Sequence, residues 1–76
     1  MMSLMQYEEV NKLAREANEI ILALYKGEIT SESAINWARK QRDSLAGYLP
    51  RNNEFKLEVE CVTRQVIERA GNVSYE

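Results

Sequence analysis

Few side chains in this sequence could carry covalent or acid–base chemistry. It has no histidine and one cysteine, Cys61, so a nucleophile would have no imidazole beside it to act as base. Cys61 stands next to Glu60 and three residues from Glu58, and an acidic neighbourhood disfavours the thiolate that reacts. The acids Glu8, Glu9, Glu16 and Glu19 lack a Glu-x-x-His motif and a second cluster, so their spacing specifies no metal. Three glycines, each where an element should end, make no phosphate-binding loop. The expectation is a protein that is not an enzyme, with no catalytic residue, cofactor, metal site or small-molecule substrate.

What stands out instead suits contact with a macromolecule. Trp37, Gln41, Ser44 and Tyr48 fall on one side of a helix, and rigid aromatics beside small polar groups gain contact area at little entropic cost. Arg42 falls in the middle of an apolar stripe, where a guanidinium must extend along its stem to water or meet a partner. Glu9, Glu16 and Glu19 are candidate partners, and otherwise Arg42 is presented to an acidic ligand. Trp37, Gln41, Arg42 and Tyr48 are therefore the candidate partner-binding residues, although Trp37 suits a seam between helices equally well.

Arg39, Lys40 and Arg42 form a basic cluster that a nucleic-acid-associated regulator could use, which is the alternative function. The second half of a helix favours cations in any case, and Asp43 follows four after Arg39. Ala23 and Gly27 have the spacing of a helix-turn-helix alanine and turn glycine. That motif, however, wants apolar residues where this chain has Glu28, Ser33 and Asn36, and its recognition helix would open on Glu32, an acid facing phosphate.

The elements that must hold these residues fit a chain of 76 residues, one domain near the lower limit for a core without staples. A domain this small, without disulfides, needs tight helix packing or a second subunit. Ten basic and twelve acidic residues leave a formal charge of -2, which gives no electrostatic reason to expect nucleic acid or an anionic membrane. No apolar run approaches the roughly 20 residues that span a bilayer. Met1-Met2-Ser3-Leu4-Met5 lacks the basic start and long apolar core of a signal peptide, so a cytoplasmic protein is expected. The doubled methionine leaves Met5 as an alternative start.

Ser3 followed three residues later by Gln6 predicts a capping box, with Met2 and Tyr7 placed as a hydrophobic staple. Val10, Leu13, Ala14, Ala17, Ile20, Ile21 and Leu24 then recur at spacings of three and four, within an arc of about 120°. Glu8 with Lys12, and Arg15 with Glu19, are spaced to pair on the solvated face. A second stripe runs beside the first: Leu4, Tyr7, Asn11, Asn18, Leu22 and Tyr25. Two asparagines seven apart between apolar residues can set register in a helix pair. Tyr7, Asn11, Asn18, Leu22 and Tyr25 are therefore the candidate self-association residues of a homodimer. Alternatively, Tyr7, Leu22 and Tyr25 touch a third helix.

Gly27 is placed to stop this helix in the left-handed conformation, with Lys26 at the negative end of its dipole. Thr30 caps the next helix and Glu32 sits in its first turn. So short a connection makes the two helices antiparallel neighbours. Helix 2 would bury Ala34, Ile35, Ala38, Leu45, Ala46 and Leu49. Gly47, Pro50 and Asn52-Asn53 form a loop, with one asparagine as the cap of the third element. Residues 55–61 alternate as a half-buried strand should, yet Phe55, Val59, Val62, Val66 and Ala70, extended by Ile67, also make a helical stripe. A lone strand would have no partner, so a helix is expected, packing-dependent because valine is a mediocre helix former, ending at Gly71-Asn72.

The segment Leu24-Tyr25-Lys26-Gly27-Glu28-Ile29-Thr30-Ser31-Glu32-Ser33-Ala34, followed by Trp37-Ala38, resembles small helical bacterial proteins with a Gly-x-Ile-Ser/Thr turn and a tryptophan-bearing second helix. Some of these are uncharacterised, and others are of the colicin-immunity type. The resemblance covers residues 24–38 and implies a cytoplasmic, non-catalytic inhibitor that binds a basic nuclease toxin through acidic residues; the near-neutral charge departs from that pattern. Taken together, the sequence predicts an all-α fold, a single domain over 1–76. It would be a small three-helix bundle, an antiparallel helical hairpin plus a third helix, over about 4–26, 31–47 and 54–70. The expected function is a small protein–protein interaction module whose partner is another protein or itself, with immunity-type inhibition as its most specific form.

Overall fold

The computed structural model of the protein describes residues 3–46 and 53–72. Three helices make up the fold: α1 (Leu4–Lys26), α2 (Ser31–Ala46) and α3 (Asn53–Asn72). The expected capping box is present at the start of α1. The Gln6 backbone N–H donates to Ser3 Oγ at 3.2 Å, and the Ser3 backbone N–H donates to Gln6 Oε1 at 2.9 Å. Met2, half of the expected staple, lies outside the described residues.

Gly27 ends α1 with φ 77° and ψ 15°, in the left-handed region where a Cβ would be strained. Its N–H donates to the Leu24 carbonyl at 3.1 Å, and the Glu28 N–H donates to the Ala23 carbonyl at 2.8 Å. That pair of bonds is the Schellman closure of a helix end. Three residues on, Thr30 Oγ1 accepts from the Ser33 N–H at 3.1 Å, the N-cap that Thr30 was expected to supply. Ile29, between the two caps, folds against the core.

One core cluster joins Ala17 and Leu24 of α1, Ala34 and Ala38 of α2, and Val66 and Ala70 of α3. The other joins Leu13 with Phe55 and Val59, flanked by Val10 and Leu45. The C-terminal half of α1 therefore meets the start of α2 and the end of α3, an up-down-up order. Ala34 and Ala38 are wholly buried, and their small side chains let the neighbouring backbones approach. Residues 55–61 are helical, because Phe55, Val59, Val66 and Ala70 bury one continuous face that no strand could have extended.

Some details differ from expectation. α3 makes most of the interhelix contact, with α2 and with α1, whereas α1 and α2 touch each other least. The short turn fixes the direction of α2, but the third helix supplies the surface on which both pack. α3 also continues through Gly71 and Asn72 instead of stopping at them. Its last turn is tied down by Ser31, whose hydroxyl donates to the Ala70 carbonyl at 3.0 Å. The Glu8–Lys12 and Arg15–Glu19 pairs do not close among the described residues, which fits the small energy available to exposed ion pairs. The expected end of α2 at Gly47, the Pro50 loop and the asparagine cap lie outside the described residues.

Candidate interaction surface

The outward face of α1 carries a row of large apolar side chains the bundle leaves uncovered. Leu4 is 74% exposed, Tyr7 48%, Leu22 55% and Tyr25 56%. Asn11 and Asn18, which interrupt the row, are exposed as well. The face exists because α1 has more apolar residues than one stripe can hold. Leu13, Ala17 and Leu24 turn inward to α2 and α3, and the second stripe is left beside them. Tyr25 alone among its members has a cross-helix bond here: Arg69 Nη1 of α3 donates to its hydroxyl at 2.9 Å. The contact with the third helix that was the alternative for Tyr25 is thus made at the rim, and the ring stays half open to solvent.

The residues expected to form a binding side on α2 are sent to different places. Trp37 is partly buried and packs against both core clusters. Its free edge lines a shallow depression with Ser33, Asn36, Arg39, Lys40 and Asp43. Gln41 faces α1 in a narrow groove with Glu9, Lys12 and Glu16. Arg42 turns to α3, where its Nε donates to Thr63 Oγ1 at 2.8 Å. Tyr48 lies outside the described residues. Trp37, Gln41 and Arg42 therefore do not converge on one surface.

Thr63 is the residue that sequence reasoning missed. It is fully buried, and its hydroxyl both accepts from Arg42 and donates to the Val59 carbonyl at 2.8 Å. Among the described residues no carboxylate forms an ion pair with Arg42, so the glutamates of α1 are not its partners. A signal was available. Thr63 lies four after Val59 and three before Val66, a polar residue on an apolar face, as Arg42 is on α2.

Arg39 and Lys40 are exposed, with Asp43 beside them, so the basic cluster is divided: Arg42 belongs to the α2–α3 seam and the other two to solvent. Cys61 is exposed on α3. Among the described residues no group of three acidic, cysteine or histidine side chains could hold a metal ion, and no helix is long and apolar enough to cross a membrane. Comparison of the chain with models of protein families, with curated proteins and with solved structures finds no match.

Proposed function

We propose that the protein is a small non-enzymatic interaction module whose contact surface is the outward face of α1. The observation that carries this reading is the uncovered row Leu4, Tyr7, Leu22 and Tyr25 along one helix. Scattered apolar side chains are ordinary on a protein surface, but an aligned row with polar flanks is how interaction sites are built. Two tyrosines add rings that bury area at low entropic cost while keeping a hydroxyl at the wet rim. The immunity-type reading and a cytoplasmic, bacterial setting are more specific forms of an interaction module and rest on the resemblance of residues 24–38, which implies binding through acidic residues and not through the apolar row.

The nucleic-acid alternative draws on Arg39 and Lys40, which are exposed near the edge of Trp37. It is the weaker of the two, because Arg42 spends its Nε on Thr63 and Asp43 sets a negative charge in the same depression. A nucleic-acid ligand would show binding that falls steeply with added salt.

A photo-reactive amino acid in place of Leu22, with a control at the exposed Gln65 of α3, tests the proposal in cells of the native host. Position 22 should give a discrete crosslinked product that the control lacks, and that Tyr7→Glu in the same chain abolishes. Equal, diffuse labelling from both positions would overturn the assignment of this face.

A further inference from the structure

Building on the assignment of the α1 face, we infer that its occupant is α1 of a second copy, packed antiparallel about a two-fold axis that passes between Ala14 and Arg15. The row is self-complementary about that point. Leu4 and Tyr25, Tyr7 and Leu22, and Asn11 and Asn18 are three pairs with one shared midpoint. Antiparallel pairing about it sets Leu4 beside the partner's Tyr25, Tyr7 beside the partner's Leu22, and Asn11 beside the partner's Asn18.

Each layer is chemically matched. A leucine lies on a tyrosine ring at both ends, so apolar area meets apolar area, while the Tyr25 hydroxyl can keep the bond it has with Arg69 in its own chain. In the middle, an amide faces an amide and each can donate to and accept from the other. Parallel pairing would oppose every residue to its own copy, tyrosine to tyrosine, and bring both positive helix ends together, whereas antiparallel dipoles compensate. All six side chains are exposed in the single chain, so the face forms without rearranging the bundle. The contact is isologous and closes as a dimer, leaving no sticky end to propagate a fibre.

The row from Leu4 to Tyr25 is about 31 Å long at the helical rise, and a seam about 13 Å wide buries about 800 Å² over both copies. That is below the roughly 1,200–2,000 Å² of stable interfaces, so the dimer is a weak, reversible one. Arg15 borders the midpoint, and antiparallel pairing brings the two copies of its charge to the same edge of the seam. Removing that charge strengthens the dimer, a result opposite to that of any change that merely damages the fold.

Sedimentation equilibrium of the full chain up to high micromolar concentration should show a monomer–dimer equilibrium. Leu22→Glu, at an exposed position, should weaken association at least about tenfold, and Arg15→Gln should tighten it about threefold. Orientation is read by disulfide capture in a Cys61→Ser background. Asn11→Cys and Asn18→Cys chains should crosslink when mixed, and neither should crosslink alone. In the antiparallel pair, identical positions sit about 10 Å apart along the axis, beyond the roughly 7 Å that a disulfide can bridge. Self-crosslinking of either chain overturns the antiparallel assignment. A monomer at all concentrations overturns the dimer. If position 22 then still captures a protein at a mass other than twice the chain's, the α1 face stands as an interaction site and only the second-copy occupant fails.

Discussion

At the scale of single residues, the cationic side chain that sequence placed on an apolar face is accommodated by a neutral hydroxyl. Thr63 works in both directions at once, accepting from Arg42 Nε and donating to the Val59 carbonyl. Sequence pattern shows that Arg42 needs a partner, and the carboxylates of α1 are the ones it suggests. The actual partner lies 21 residues further along the chain and carries no charge. A threonine bonded to its own preceding turn has its hydroxyl fixed in place, so the oxygen that Arg42 meets is already ordered. Replacing Thr63 by valine keeps the shape and deletes both bonds, leaving a partly buried guanidinium N–H without its acceptor. Thr63→Val should therefore cost about 1.5–3 kcal/mol in urea unfolding, the usual range for a hydrogen bond to a charged group. In an Arg42→Met background the same change should cost well under half as much. Equal costs in the two backgrounds would show that Thr63 acts only through α3.

At the scale of elements, two glycines near helix ends behave in opposite ways. Gly27 sits at φ 77°, and Gly71 does not have a positive φ; neither would bring a Cβ within 4 Å of another atom. Sterics with neighbours thus drop out, and backbone conformation alone decides. Gly27→Ala should lose about 1–2 kcal/mol, the left-handed cost of an L-residue. Gly71→Ala should gain up to about 0.5–1 kcal/mol, since alanine restricts the unfolded chain and suits a helix. Thermal melts separate them, because 1 kcal/mol moves the midpoint of a domain this size by about 4–8 °C. A loss from Gly71→Ala would mean the last turn of α3 needs the glycine after all. The same contrast explains what was legible beforehand. Ser3 with Gln6, Gly27 and Thr30 act through bonds three to five residues long, so type and spacing suffice to read them. The bond from the Ser31 hydroxyl to the Ala70 carbonyl spans 39 residues, and no local pattern encodes it. The α1 outer row was legible as a stripe, whereas the separation of Trp37, Gln41 and Arg42 onto three different neighbours depended on where α3 would lie.

At the scale of the whole molecule, cooperativity hangs on how the two core clusters are joined. Trp37 and Val62 are the side chains that pack against both. The indole is the larger by far, and it joins a cluster with four alanines to one built from Leu13, Phe55 and Val59. A domain this short has little stability in reserve, at the lower end of about 5–15 kcal/mol. Trp37→Ala removes contacts from both halves together and should cost about 3 kcal/mol, the low end for a tryptophan because this one is only partly buried. More telling than the magnitude is the shape of the loss. With Val62 alone bridging the halves, amides around Leu13 and Val59 should exchange at rates distinct from those around Ala34 and Val66. In the parent chain the slowest amides of both groups should report one common opening. Trp37→Phe keeps a ring in the bridge, so it should soften the domain without splitting it. Should Trp37→Ala leave both groups exchanging together, the helices themselves would be carrying the coupling and the tryptophan would be no more than one core residue among others.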